Sequence, residues 1–278
     1  MNCRRSNRSS FLDTPHRVAL AGDWHANTDY GVMAIAHARK RNADVITHLG
    51  DFGFNFTDDY LDALDHALAT HDLILGFVDG NHENFDWLLT QPVAADGLRY
   101  LRDRVVHLPR GFRWQWDRTR CLAVGGAHSI DSFLRTPNRT WWSQEEITTD
   151  QAQSIRAGGH ADAMFCHDCP AGVTVPGLER ERFGFPPEAV EASERGRRTL
   201  RGIVDIVQPT RLWHGHFHYR YQSVLDGAGY RTVIDGLGRD KQPIDNNLVV
   251  ANLTALGSRP SRGPERSAIT HPASLEQR

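Results

Sequence analysis

Residues 16–83 read HRVALAGDWHANTDYGVMAIAHARKRNADVITHLGDFGFNFTDDYLDALDHALATHDLILGFVDGNHE, and the periods in that stretch decide the fold. Residues 16–22 form a short apolar run (Val18, Ala19, Leu20) of strand length, and 31–41 carries helical spacing. A second apolar run covers 44–49, a second helix 57–69 with Thr57 or Asp58 as its natural N-cap, and a third strand 73–78. Strand, helix, strand, helix, strand is the pattern of an α/β sheet with right-handed crossovers. Each run ends in polar residues: Asp23-Trp24-His25, then Gly50-Asp51, then Gly80-Asn81-His82-Glu83. Such strand ends are where an open α/β sheet gathers its active-site loops.

The second half of the chain is more mixed. Candidate strands are 105–108, 112–116, 121–124, 163–165, 211–213, 221–225 and 248–253, and 187–207 is the longest helical candidate. Val190, Leu200, Ile203, Val204 and Val207 give that helix an apolar face, and Arg195, Arg197, Arg198 and Arg201 are expected on a solvated one. Two further polar motifs follow apolar runs here. One is His167 in Cys166-His167-Asp168-Cys169; the other is His214-Gly215-His216-Phe217-His218, where alternation puts all three histidines on one side of an extended chain. Residues 1–15 and 257–278 are polar and lack apolar periodicity, so a mobile N-terminal arm, one folded domain over 16–256 and a disordered C-terminal tail are expected.

Composition narrows the functional classes. With a net charge of -2 and 24% charged residues over 278 positions, nothing in the charge balance implies a polyanion partner, whether nucleic acid or anionic membrane. Cys3, Cys121, Cys166 and Cys169 are too few and too irregular for a secreted disulfide scaffold, which points to a reducing cytoplasm. No apolar run has the length of a signal peptide or a membrane span. The 15 histidines are the unusual count, because imidazole is both the commonest transition-metal ligand and the usual acid or base near neutral pH.

Each polar motif has a dull explanation by itself. Asp and His after a strand are good turn formers, Gly-Asp is ordinary turn chemistry, and Asn81 is a plausible helix cap. Five strand ends delivering Asp, His, Asp, Asn, His and two more His in this order are not explained that way. The ordered set D-x-H, G-D, G-N-H-E, H and G-H-x-H resembles the calcineurin-like metallophosphoesterase superfamily over about residues 17–220, in the manner of its small bacterial and phage phosphodiesterases. The resemblance implies a four-layer α/β/β/α sandwich of two mixed sheets flanked by helices. It also implies a dinuclear site: Asp23, His25 and His218 on one metal, Asn81, His167 and His216 on the other, and Asp51 bridging both. Carboxylate, imidazole and neutral amide suit first-row divalent ions, with manganese the first expectation and iron, zinc, cobalt or nickel the alternatives. A metal-bridging hydroxide attacking phosphorus in line is the implied chemistry, with His82 as the general acid. The alternative role for His82 is a supporting contact to Asp51.

The resemblance is looser elsewhere. Phe52 follows Asp51 where the phosphoprotein phosphatases of the superfamily continue to a phosphate-gripping Arg, so that branch is not expected. Residues 125–146, GGAHSIDSFLRTPNRTWWSQEE, resemble a segment of small actinobacterial and phage members. There Arg135 or Arg139 is a candidate phosphate ligand and His128 a candidate wall of the site, against the plainer reading of a loop anchored by buried tryptophans. The Cys166/Cys169 pair lacks a partner pair for a zinc knuckle, and His48 reads as a packed histidine. The expected function is hydrolysis of small phosphate esters by a diesterase, cyclic nucleotides included. A broad phosphomonoesterase, a metal-dependent nuclease and a non-catalytic scaffold are the competing readings; no nucleic-acid surface or membrane partner is expected, and the oligomeric state is open.

Overall fold

Alternation along Arg17–Ala21 sends Val18 and Leu20 to one face of the strand and Ala19 and Ala21 to the other, and the two faces join different cores. The computed structural model describes residues 10–256. In chain order its strands are β1 (Arg17–Ala21), β2 (Val45–His48), β3 (Leu75–Phe77), β4 (Arg99–Tyr100), β5 (Val105–His107), β6 (Arg113–Trp116), β7 (Thr119–Val124), β8 (Ala163–Cys166), β9 (Arg211–His214), β10 (Tyr221–Gly227), β11 (Tyr230–Gly236) and β12 (Leu248–Asn252). The helices are α1 (Thr28–Lys40), α2 (Asp58–Thr70), α3 (Phe85–Leu88), α4 (Thr149–Ala157), α5 (Leu178–Arg182), α6 (Pro187–Val207), α7 (Ile244–Asn247) and α8 (Leu253–Leu256).

The strands make two sheets of six, ordered β12-β1-β2-β3-β5-β4 and β10-β11-β9-β8-β7-β6. In the first, β1, β2, β3 and β5 run parallel, with Ala19 beside Ile46 and Ile46 beside Leu75, and β12 and β4 close the edges antiparallel. In the second, β7, β8, β9 and β11 are parallel between antiparallel edges β6 and β10. Both sheets are therefore mixed. Val18, Leu20, Trp114, Trp116, Phe165 and Trp213 fill the space between them. Ala19, Ala21 and Ile46 pack outward on α1 and α2, the small alanines allowing close approach; Leu122, Met164 and Leu212 pack outward on α4 and α6. Helix, sheet, sheet, helix is the expected four-layer sandwich.

Local signals explain several helix starts. The Asn27 side chain accepts from Tyr30 N at the start of α1, and Thr148 with Gln151 forms a capping box on α4. Thr57 does stand at the N-cap of α2, although its side chain makes no capping bond. β4, β11 and α4 were not expected. α4 buries only Ala152 and Ile155, too little apolar surface to register as a period, and β11 follows β10 through the tight turn around Gly227 and Gly229. The expected solvated arginine face of α6 is corrected at Arg197, which is buried and donates to the carbonyls of Cys169, Pro170 and Val173.

Of the arm expected over 1–15, residues 10–15 are held in place. Phe11 is fully buried between the sheets, 5.6 and 5.3 Å from the rings of Trp114 and Trp116, and its carbonyl accepts from Trp116 Nε1. Residues 1–9 and the tail expected over 257–278 lie outside the described residues. Among the described residues no helix is long and apolar enough to cross a membrane.

Candidate metal centre

The C-terminal ends of β1, β2, β3, β8 and β9 converge, and the backbone beyond them is tied together before any side chain is considered. Trp24 N and His25 N donate to the carbonyl of Asp51, Asn81 N and His82 N to its carboxylate Oδ1, and Gly215 N to the carbonyl of His167. The polypeptide bends sharply to achieve this: His25, Asp51, His216 and His218 lie at φ of 47°, 52°, 65° and 61°. Left-handed conformations at side-chain-bearing residues cost roughly 1–2 kcal/mol each, and such strain concentrates at functional sites. Two glycines make the close approach sterically feasible. A Cβ at Gly50, itself at φ +94°, would sit 2.4 Å from His167 Nδ1, and one at Gly215 would sit 2.1 Å from Asp23 Oδ1.

Asp51 is at the centre of the cluster. Its Oδ1 lies 3.3 Å from His167 Nε2, and its Oδ2 lies 3.6 Å from His25 Nε2 and 3.9 Å from His82 Nε2. On one side Asp23, His25, Asp51 and His218 offer ligand atoms all within 4.8 Å of one another, with Asp23 Oδ2 3.1 Å from His218 Nε2. On the other, Asn81 Oδ1 is 3.0 Å from His167 Nε2, and the His167 and His216 rings are 5.0 Å apart. Asp23, Asp51, Asn81 and His167 are buried; His25, His82 and His218 are partly open to the cavity.

The chemistry of this donor set calls for a cation. His167 Nδ1 is 2.7 Å from the carbonyl of Leu49, which can only accept, so Nδ1 carries the proton. The same ring's Nε2 then faces Asp51 Oδ1 and Asn81 Oδ1, two more acceptors, while the Asn81 amide nitrogen donates to Ser129 Oγ. Three lone pairs meet there without a hydrogen unless a second proton or a metal ion supplies positive charge. Burial opposes charge on His167, yet Asp51 pulls its pKa up to about 10; His25 is likewise held at about 9 against burial by Asp51. Burial works against ionisation of Asp51 as well, and the surrounding histidines, His167 first, still hold it well below the usual carboxylate range. The residues present fit a pair of divalent ions sharing one carboxylate.

Several supporting residues have no role that the sequence assigns. Asp240 Oδ1 takes the Nδ1 side of His25 at 3.0 Å and its Oδ2 accepts from Asn27, which orients the ring. Glu83, fully buried, accepts from Phe52 N and Gly80 N and so clamps the second and third motif loops; burial pushes its carboxyl up to about 8. Ser129, which holds the Asn81 amide, is itself held by Glu145 through both its N–H and its hydroxyl. Glu83 stands inside a quoted motif and was visible as a residue, whereas Asp240 stands in a loop with no period at all.

Other expectations fare unevenly. The extended His214-to-His218 segment is corrected: positive φ at His216 and His218 breaks the alternation, and His214 points away from the site to Tyr221 Oη at 2.7 Å. Arg135 lines the cavity, its two terminal nitrogens 3.1 and 3.2 Å from the two ring nitrogens of His82. Arg139 is exposed and outside the cavity lining, and His128 is buried on Glu146 at 2.6 Å instead of walling the site. Trp24 is fully buried with its ring 4.6 Å from that of His48, so both pack beneath the site. Cys166 and Cys169 are buried free thiols, pushed up by burial, Cys169 to about 12.

No protein-family model and no curated protein matches the sequence. Among solved structures, a dimetal phosphatase from Danio rerio is similar at 12% identity, over 86% of this chain and 93% of that one, with a TM-score of 0.54. A Thermus thermophilus protein (12% identity, 86% of this chain and 99% of that one) and the anchor in the inner membrane complex of Plasmodium (11%, 85% and 80%) align with TM-scores of only 0.48 and 0.46, which carry no weight. The chain has the fold of a dimetal phosphatase. That is the fold implied by its motif resemblance to the calcineurin-like metallophosphoesterases.

Proposed function

We propose that the protein is a dinuclear-metal phosphoesterase acting on small phosphodiesters, cyclic nucleotides among them. Asp23, His25 and His218 would hold one divalent ion and Asn81, His167 and His216 the other, with Asp51 shared. The observation that carries this reading is the Asp51 carboxylate, whose two oxygens face imidazoles of opposite halves, His167 at 3.3 Å and His25 at 3.6 Å. Two such ions, manganese foremost, supply a water of lowered pKa and positive charge beside the phosphoryl oxygens.

The remaining work falls to the chain. His82, on the cavity wall, can hand a proton to the departing ester oxygen, a transfer worth about 10²–10⁴ in rate. Arg135 is suited to a bidentate grip on phosphate. A neutral imidazole accepts at one nitrogen only, so Arg135 cannot satisfy both of its nitrogens on His82 and has donors to spare for a substrate oxygen. The preference for diesters rests on the shape of the opening. One cavity runs past Arg135 toward Phe185, a second hollow runs toward Asn27 and Lys241, and both include His82, Arg135 and His218. A diester needs room on both sides of phosphorus; a monoester needs it on one.

The test is a screen of the manganese-reconstituted protein on bis(p-nitrophenyl) phosphate, p-nitrophenyl phosphate, 2′,3′- and 3′,5′-cyclic nucleotides and single-stranded DNA. Hydrolysis of the diesters ahead of p-nitrophenyl phosphate is expected. Two equivalents of bound metal with no ester cleaved would leave only a scaffold, and preferential cleavage of DNA would make the protein a nuclease.

A further inference from the structure

The cavity beside the metal cluster continues beyond Arg135. It holds about 280 Å³, just under the ~300–1,000 Å³ of pockets that hold drug-sized ligands, which is room for one ring system. Its lining joins Asp51, Asn81, His216 and His218 to an apolar group, Ile130, Leu178, Phe185 and Phe217. Phe217 stands between two of the expected ligands. The others come from segments that carry none: Ile130 follows β7, and Leu178 and Phe185 lie in and just after α5. Next in sequence to lining residues, Leu134 is 74% exposed and Phe183 is 89% exposed.

The same wall has polar groups in two places. Ser193, on the buried face of α6, lines it, and so does Arg182. The Arg182 guanidinium is tethered to Glu194 through one terminal nitrogen, and a guanidinium carries more N–H donors than that one contact uses. A polyol such as a bare sugar would leave its hydroxyls against Leu and Phe. A lipid chain would need a longer groove, and Arg182 puts a charge in its way.

Resting on the phosphodiesterase reading above, we infer that this cavity seats one ester group of the substrate, and that the group is planar, mainly apolar and carries a hydrogen-bond acceptor. Substituted aryl and nitrogen-heterocycle esters are the class that fits. Leu178, Phe185 and Phe217 read the ring, and Arg182 with Ser193 reads the acceptor.

Non-hydrolysable phosphonates separate this inference from the reading beneath it. Calorimetric titration of the full, manganese-loaded chain compares phenylphosphonate with methylphosphonate, which share a head group. Burying the ring favours phenylphosphonate by about tenfold or more. Phe185→Ala, a substitution on a half-buried segment, lowers that ratio to less than about threefold, with thermal melting and metal stoichiometry reporting that the variant is folded. A 4-nitrophenyl probe binds more tightly than a 4-methylphenyl one, and Arg182→Gln removes that difference. Equal binding of phenyl- and methylphosphonate by the native protein, or an unchanged ratio in Phe185→Ala, overturns the aryl pocket; indifference to Arg182→Gln overturns the acceptor. If neither phosphonate binds the metal-loaded protein, the phosphoesterase reading fails and this inference goes with it.

Discussion

Asp240 does for His25 what the carbonyl of Leu49 does for His167: each accepts a hydrogen bond from Nδ1–H and so turns Nε2 toward Asp51. Carboxylates placed behind ligand histidines typically govern metal affinity by 10–100-fold. Asp240→Ala is therefore expected to weaken binding of one ion by about that factor while turnover returns at high metal, and Asp240→Asn, which keeps an acceptor, should lose less. Metal titration with activity read in parallel decides it; unaltered affinity in Asp240→Ala removes the orienting role. His82 calls for the opposite signature. His82→Ala should lower kcat by about 10²–10⁴ at normal metal content, because in the proposed mechanism the residue supplies a proton and no ligand atom. Retention of full turnover would reassign it to support of Asp51. The expected ligands were readable in the sequence because each follows an apolar run that forces it to a strand end. Asp240 was not, since a residue that acts through another needs only to be near it in space, and nothing in chain spacing records that.

At the scale of elements, the segment joining β7 to α4 depends on one buried acid. Glu145 accepts from Ser129 N, Ser129 Oγ and Trp141 Nε1, and through Ser129 it holds the Asn81 amide. Burial pushes its carboxyl from 4.5 up to about 7. A folded-state pKa above the unfolded one means that the native protein holds more proton across that interval. Its stabilising contribution is thus complete below about pH 4.5 and declines as pH rises to about 7, by on the order of 3 kcal/mol for this group alone. Glu145→Gln, neutral at every pH, should flatten that part of the profile; urea midpoints at pH 5 and pH 8 measure it, and parallel profiles for the two proteins would refute the assignment. Elements of this kind also mark where sequence reading falls short. The parallel strands and α1, α2 and α6 stand out by period, whereas α4 owes its place to a capping box and two apolar residues. Arg197 looked solvated among its neighbours because the carbonyls it binds lie some 25 residues upstream in the loop after β8. Charge patterning along a helix cannot register partners that arrive from another segment.

For the molecule as a whole, the decisive fact is that the cluster joins the two sheets. Asp23, His25, Asp51 and Asn81 follow strands of the first, His167, His216 and His218 follow strands of the second, and Asp51 lies 3.3 Å from His167 across the divide. Elsewhere the sheets are held by a shared apolar core, in which Trp114, Trp116, Phe165 and Trp213 meet Val18 and Leu20. Divalent ions at the cluster would add a polar clasp at one end of that core. Ions that bind the folded chain and not the unfolded one stabilise it by about 2.7 kcal/mol when present at a hundred times their dissociation constant. For a domain of this size each kcal/mol moves Tm by roughly 2–4 °C. Chelation should accordingly lower Tm by about 5–10 °C, and manganese should restore it. Asp51→Asn, which removes the charge shared by both halves, should abolish most of the restoration, whereas Arg135→Gln, which lines the same cavity but removes no expected ligand atom, should leave most of it in place. Differential scanning calorimetry with chelator and with manganese reads all of these together. A Tm indifferent to metal in the unaltered protein would mean that the two sheets are brought together by packing alone and that the seven side chains serve some purpose other than holding ions.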